Sequence, residues 1–143
     1  MRGKEGFTLV EVLVALVILT LALGMVVGSF GSSLRIARES RLNALASEYA
    51  QAVAEHYRTH WSNPAHFASG STPPGLDALA GRLAGAGLSA QVEASLRLNP
   101  DGSAYTGSGQ PPLRRVVVTV RRGSEIRARV MADIGNPSSS GLR

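Results

Sequence analysis

The longest apolar run of the sequence begins at Phe7 and ends at Phe30. Between Val12 and Phe30 no side chain carries a charge, and only Thr20 and Ser29 carry a hydroxyl group. About 20 apolar helical residues span the hydrocarbon core of a bilayer, because each residue of an α-helix rises ~1.5 Å. The run therefore predicts a helix that crosses a membrane.

Beyond this run the helical period continues, but with a different character. Apolar and aromatic side chains now form one stripe at a spacing of three or four residues, made of Leu42, Leu45, Tyr49, Ala52, Val53 and His56. No proline interrupts the chain before Pro64. We expect one helix from about Phe7 to about Tyr57, with a transmembrane first half and an amphipathic second half.

The sequence after this helix changes period twice. Residues 61–75 contain Asn63-Pro64 and Pro73-Pro74-Gly75, which predict a break, and Leu76 to Ala84 has the spacing of a short helix that ends at Gly85 or Gly87. The period then falls to two, because Val92, Ala94, Leu96 and Leu98 alternate with polar residues. This alternation is typical of a half-buried strand.

Two further strands are predicted at Val116–Val120 and Ile126–Ile134. Their apolar sets, Val116, Val118 and Val120 on one and Ile126, Ala128 and Val130 on the other, must share a face, since a slip of one residue would turn them outward. With Val120 opposite Ile126, a three-residue turn at Arg122-Gly123-Ser124 fits best. The predicted fold class is α+β, a long N-terminal helix packed on a small antiparallel three-stranded sheet.

Glu11 is the one charged residue inside the apolar run. A carboxylate at the centre of a membrane helix costs roughly 2.5–3.5 kcal/mol, and less near an end. Glu11 is therefore a functional candidate that requires a partner. Arg2 and Lys4 precede the run, so the positive-inside rule places the N-terminus in the cytoplasm and the C-terminal part on the other side.

These features together resemble a known signal. Gly6 followed by Phe7-Thr8-Leu9-Val10-Glu11 and an unbroken apolar helix resembles the class III signal of type IV pilins and type II secretion pseudopilins. The segment Glu11 to Leu19, EVLVALVIL, is more similar to minor pilins and minor pseudopilins than to major subunits. The resemblance covers about the first 30 residues, and beyond them it is one of architecture only.

The resemblance implies a processing route and a pilin-like fold. Prepilin peptidase would cut after Gly6, Phe7 would become an N-methylated N-terminus, and Glu11 would pair with the N-terminal amine of a neighbouring subunit. Together with the periodicity described above, it predicts five segments: a leader (1–6), a transmembrane and assembly helix (7–30), its amphipathic continuation (31–61), a small globular α+β domain (62–135) and a flexible tail (136–143).

The function that the resemblance implies is that of a structural subunit, a minor pilin or pseudopilin of a type IV pilus, type II secretion or competence filament. Its partners would be prepilin peptidase, other pilin or pseudopilin subunits and lipids of the bacterial inner membrane, from which it would enter a periplasmic or surface filament. An ordinary signal peptide and a plain signal anchor are the alternatives, but neither explains Gly6 and Glu11 together. A membrane-anchored domain that never polymerises is a further alternative.

The remainder of the chain offers no candidate catalytic site or cofactor site, so we expect no enzyme. The chain has 143 residues, a net charge of +5 and no cysteine. His56 and His60 are four residues apart, with His66 nearby, but the sequence HYRTH lacks the glutamate of a zinc-peptidase motif. We therefore expect structural or exposed histidines rather than metal ligands.

A group of arginines is the one feature of the globular part that suggests a function. The predicted outward face of the sheet carries Arg115, Arg121, Arg127 and Arg129. Such a face is able to contact DNA phosphates, as in a competence pilin, with an affinity that depends on salt. A solvated face and a contact with another subunit are the alternatives.

Overall fold

The computed structural model describes residues 8–141. Its elements are, in chain order, helices α1 (Leu9–His60), α2 (Pro64–Ser69) and α3 (Leu76–Ala84), strands β1 (Ser89–Leu98), β2 (Leu113–Arg122) and β3 (Glu125–Gly135), and a 3₁₀ helix at Pro137–Gly141. The fold is α+β, with the long helix packed on an antiparallel sheet in the order β1-β2-β3. The predicted fold class is confirmed.

The chain divides into two compact units, Met1–Ser40 and Arg41–Arg143. In the first unit, all described residues up to Arg38 are exposed. In the second unit, the helix buries a stripe made of Ala46, Tyr49, Ala50, Val53, Ala54 and Tyr57. This stripe joins Val116, Val118 and Val120 of β2 in one apolar core, so the core lies between the C-terminal part of α1 and the central strand.

The long helix agrees with its prediction and ends three residues later, at His60. Of the predicted stripe, Tyr49 and Val53 are buried, whereas Leu42, Leu45 and Ala52 are half-buried. The prediction was wrong for His56, which is exposed, while Tyr57 is buried next to it. Tyr57 continues the spacing of Ala50 and Val53, and its ring meets that of Trp61 edge-on at 5.0 Å between centroids.

The predicted break after α1 contains a short helix that the sequence analysis missed. The side chain of Asn63 accepts a hydrogen bond from the N–H of Ala65 at 2.9 Å, and Pro64 occupies the first helical turn. Asparagine at the N-cap followed by proline at the first position is a recognised helix start, so this signal was present in the sequence. Helix α3 has the predicted bounds.

The hairpin between β2 and β3 differs from its prediction. Arg122 pairs with Glu125, so the turn has two residues, Gly123 and Ser124, and only Gly123 has a positive φ, of 59°. A two-residue turn with this φ at its first central residue is the type II′ geometry that suits hairpins. The predicted three-residue turn was wrong.

A β-bulge explains why the predicted register fails at its end. Val120 pairs with Ala128 while Arg121 pairs with Ile126, so Arg127 is the extra residue. The bulge reverses the alternation of side chains, and Ile126 is consequently 49% exposed instead of facing the core. A second irregularity lies between Glu93 and Leu96 of β1. It turns Leu96, predicted to be half-buried on the core side, to the opposite face, where the residue is 42% exposed.

An arginine is buried where the sheet meets α2. Arg114 is 8% exposed, and its guanidinium lies 5.6 Å from the centroid of Trp61 and 5.5 Å from that of Phe67. It donates a hydrogen bond to the carbonyl of Ala68 at 3.0 Å. The guanidinium therefore holds the C-terminal end of α2 against the sheet. Next to it, Gly70 ends α2 in the left-handed region, with φ 66°.

We expect Gly70→Ala to destabilise the second unit strongly. A left-handed φ costs a non-glycine residue about 1–2 kcal/mol, and the new methyl group would lie 2.7 Å from a guanidinium nitrogen of Arg114. Trp61 is the only tryptophan and is fully buried, so its fluorescence follows unfolding of the full chain in detergent. Gly87→Ala is the matched control, since Gly87 has φ 68° with no atom nearby. Equal losses in both variants would show that the contact with Arg114 contributes nothing.

Candidate functional sites

The uncharged segment of α1 runs from Val12 to Leu34, and its side-chain hydroxyl groups form hydrogen bonds within the helix. Each of its hydroxyl groups donates to the carbonyl oxygen four residues earlier: Thr20 to Leu16 at 2.5 Å, Ser29 to Met25 at 2.9 Å, Ser32 to Gly28 at 3.3 Å and Ser33 to Ser29 at 2.9 Å. A hydroxyl bonded in this way needs no water. The segment therefore presents an apolar surface despite its four hydroxyl-bearing residues.

This segment is also long and apolar enough to cross a membrane. Its best window has a mean hydropathy of 2.8, and none of that window is buried by the rest of the chain. Leu9, Leu21 and Phe30 are 78%, 61% and 66% exposed. A contiguous exposed apolar surface of this extent is typical of a segment that contacts lipid or another protein.

Glu11 lies in the first turn of α1, two residues after Leu9, which begins the helix. The N–H of Glu11 donates to the carbonyl of Thr8 at 3.0 Å and to the hydroxyl oxygen of Thr8 at 3.3 Å. Thr8 thus acts as the N-cap, and Glu11 occupies the third helical position. The positive end of the helix dipole stabilises a carboxylate there by about 0.3–1 kcal/mol.

Glu11 was recognised from the sequence, but the role of Thr8 was not. The pattern Thr8-x-x-Glu11 is that of a capping box, in which a threonine and a glutamate three residues later serve the first turn of a helix. This signal was readable in the sequence. Gly6 and Phe7, the predicted cleavage and methylation positions, lie outside the described residues.

Two of the three histidines pack against each other, and the third lies apart from them. The rings of His60 and His66 stack with 4.0 Å between centroids, and His60 Nε2 lies 3.0 Å from Ser71 Oγ. His56 stands apart on the exposed side of α1. Within residues 8–141, no three histidine or acidic side chains are grouped closely enough to hold a metal ion.

The His60–His66 stack makes a prediction about acid stability. Partial burial, followed by the charge of His66, lowers the pKa of His60 from its usual 6.5. Between the lowered pKa and 6.5 the unfolded chain binds more protons than the folded chain, so stability rises with pH in this window and is lost on acidification. We expect His60→Gln to flatten this slope in unfolding measurements between pH 4.5 and 7.5, and His56→Gln to keep it. A slope unchanged by His60→Gln would contradict this assignment.

The structure divides the four arginines that were predicted to share the outward sheet face. The side chain of Arg127 is only 12% exposed and lies on the helix side, where it contacts Asn43 of α1 at 3.4 Å and Glu125 at 2.8 Å. The bulge at Arg127 is the reason, because it reverses the alternation at this position. The prediction for Arg127 was wrong.

The other three arginines do share the outward face, but one of them is paired. Arg115 makes two hydrogen bonds to the carboxylate of Asp133, directly opposite on β3, at 2.7 and 2.8 Å. This pairing lowers the pKa of Asp133, with the hydrogen bond as the main cause. Arg121 and Arg129 are exposed. The basic character of this face is therefore weaker than the sequence suggested, and a contact with DNA stays an untested prediction.

Comparisons with known proteins match the beginning of the chain. A family model described as the prokaryotic N-terminal methylation motif matches residues 1–27, and this motif is present in type IV pilins and pseudopilins. The resemblance seen in the sequence is confirmed for that segment. Searches of curated proteins and of solved structures found no significant match. The match indicates a type IV pilin-like protein of the kind that prepilin peptidase processes.

Proposed function

We propose that this chain is a structural subunit of a pilus-like filament, of the minor pilin or pseudopilin kind. Prepilin peptidase cuts it after Gly6, the amine of Phe7 is methylated, and α1 carries it from the membrane into the filament. The observation that supports this most is a single carboxylate, Glu11, at the capped start of a helix whose next charged residue is Arg35. This position lies inside the matched motif.

The chemistry of Glu11 favours assembly over simple anchoring. In a single chain the helix dipole stabilises the carboxylate, but it offsets only part of the cost of removing a charge from water. In a bundle of such helices the ammonium of a neighbouring Phe7 offers the opposite charge. Because an unpaired buried charge is strongly unfavourable, this pairing selects one axial register of neighbouring subunits.

The sheet supports assembly through helices rather than through strands. Both edge strands of the three-stranded sheet have an irregularity in their pairing, near Glu93 in β1 and at Arg127 in β3. Bulges and charged side chains at edges hinder the addition of a further strand. The exposed apolar helix is therefore the surface through which subunits associate.

The motif is a feature of structural proteins rather than enzymes. The proposal places the N-terminus in the cytoplasm and the second unit on the periplasmic side before assembly. Whether the filament serves secretion, twitching, adhesion or DNA uptake depends on its partner subunits. A DNA-uptake role has little support from the arginine face, since Arg115 is paired and Arg127 lies on the helix side.

Fractionation of cells tests this proposal. In cells that contain the peptidase and the other filament subunits, the chain should appear both in the membrane and in an enriched filament fraction. In cells that lack the peptidase, it should remain entirely in the membrane as the precursor. A chain that never enters the filament fraction would contradict the proposal and favour a membrane-anchored domain.

A further inference from the structure

The uncharged segment of α1 is bracketed by two ionisable residues. No charged side chain lies between Glu11 and Arg35, and Val12 to Leu34 extends about 35 Å along the helix. The hydrocarbon core of a bilayer is about 30 Å thick. In a membrane-spanning α1, Glu11 at one boundary therefore places Arg35 at the headgroup level of the opposite leaflet.

Arg35 and Arg38 follow this boundary on neighbouring positions of the helix surface. Residues three apart face the same side of a helix, and both arginines are exposed in a stretch where Leu34 and Ile36 are 72% and 69% exposed. The acidic residue nearest to them in the sequence is Glu39, and the two arginines outnumber it. Two long cationic side chains thus stand at the end of an apolar surface, where their stems lie along lipid and their heads reach water.

We propose that Arg35 and Arg38 bind the phosphate groups of acidic phospholipids in the leaflet nearer the second unit. This inference rests on the proposed function only in requiring that α1 spans the membrane. The guanidinium presents paired N–H groups that match phosphate oxygens. Each arginine near an anionic surface favours binding about fivefold.

The contact has a consequence for assembly. Cleavage after Gly6 removes the side chains of Arg2 and Lys4 and leaves the Phe7 ammonium at the cytoplasmic end, while Arg35 and Arg38 remain as the basic side chains at the other end of the membrane segment. Extraction of a subunit into a filament must break their headgroup contacts. A membrane richer in acidic lipid therefore retains the subunit more strongly.

The absence of cysteine allows a direct test on the full chain. Ala37→Cys carries a fluorophore between the two arginines, and the chain is reconstituted in vesicles of phosphatidylcholine and phosphatidylglycerol. Quenching by spin-labelled phosphatidylglycerol is compared with quenching by spin-labelled phosphatidylcholine at equal mole fraction. We expect a severalfold preference for the acidic lipid, which high salt reduces and Arg35→Gln with Arg38→Gln abolishes.

A matched control removes two other exposed arginines. Arg58→Gln with Arg82→Gln makes the same change in charge, at side chains that are 59% and 71% exposed, and should keep the preference. If the two spin-labelled lipids quench the fluorophore equally in the Ala37→Cys chain that keeps Arg35 and Arg38, the proposal is overturned. A different result would be a chain that binds duplex DNA through Arg35 and Arg38 in a salt-sensitive way and shows no preference between the two lipids. In that case the two arginines bind nucleic acid, and the proposal is also overturned.

Alkaline extraction of the same vesicles tests whether α1 spans the membrane, independently of whether Arg35 and Arg38 bind acidic lipid. A chain that resists extraction but shows no lipid preference leaves the membrane-spanning helix intact and refutes only the role of Arg35 and Arg38. A chain that alkali removes does not span the bilayer. That result contradicts the proposed function itself.

Discussion

Replacing Glu11 with alanine is expected to reduce recovery of the chain with its partner subunits by about a hundredfold or more, while its membrane insertion stays normal. The loss of one member of a buried ion pair costs roughly 3–5 kcal/mol, because the other charge remains buried alone. In this case the remaining charge is the ammonium of a neighbouring Phe7. Co-purification of tagged subunits from membranes measures the effect.

The same substitution should have little effect on a chain that stays single. The single chain then loses only the interaction of the carboxylate with the helix dipole, which contributes about 0.3–1 kcal/mol. It also no longer has the cost of placing a carboxylate near lipid. Insertion depends on the apolar segment and cleavage depends on Gly6, so neither should change. The assembly defect is therefore specific to a filament.

Thr8→Ala is the control that separates charge from helix structure. It removes the cap of α1, which contributes about 1 kcal/mol, but it leaves the carboxylate of Glu11 in place. We expect a small loss of assembly for Thr8→Ala and an intermediate loss for Glu11→Asp, whose carboxylate is one methylene group shorter. Equal recovery of Glu11→Ala and the unchanged chain would refute the ion-pair mechanism.

Replacing Gly6 with leucine is expected to leave nearly all of the chain as the uncut precursor. A protease holds its substrate in an extended conformation, and a small residue before the cut is needed beside its catalytic groups. Without cleavage the amine of Phe7 is never released, so the partner of Glu11 is missing and assembly fails as well. Gel mobility of the membrane fraction in cells that express the peptidase shows the result.

The matched control for this substitution lies in the same short segment. Gly3→Leu makes the same change three residues earlier, away from the junction with the apolar run, and should be cut normally. If Gly6→Leu were cut as efficiently as the unchanged chain, another position would be the cleavage site.

The long helix was predictable because two independent signals agree on it. An uncharged run up to Leu34 is long enough to span a bilayer as a helix, an apolar stripe at helical spacing follows it and includes Val53, and no proline lies between them. Glu11 was predictable as a functional candidate for a different reason, since a single charge in an apolar segment is unfavourable and requires a partner.

The bulges were not predictable, and they account for the errors in the sheet. Period-two alternation assumes a one-to-one pairing of residues on neighbouring strands, whereas Arg127 is an extra residue in β3 at the bulge. Its long side chain reaches Asn43 on α1, a contact between residues 84 positions apart that no local pattern contains. Ile126 and Leu96 were misplaced for the same reason.

Arg114 shows a second limit of sequence reasoning. The predicted strand began at Val116 and left out Arg114, and arginine is rarely buried, so no sequence signal marked it as a core residue. Here the aromatic faces of Trp61 and Phe67 and the carbonyl of Ala68 accept the guanidinium. That environment exists only once α2 has formed, and α2 depends on the cap at Asn63 that the sequence analysis missed.

The mass of the chain isolated from membranes is the most direct test of the central claim, that this is a pilin-like subunit processed at Gly6. The account predicts a chain that lacks the first six residues, begins at Phe7 and carries the added mass of one methyl group. An intact N-terminus in the presence of active peptidase, or a chain that begins beyond Phe30, would contradict it.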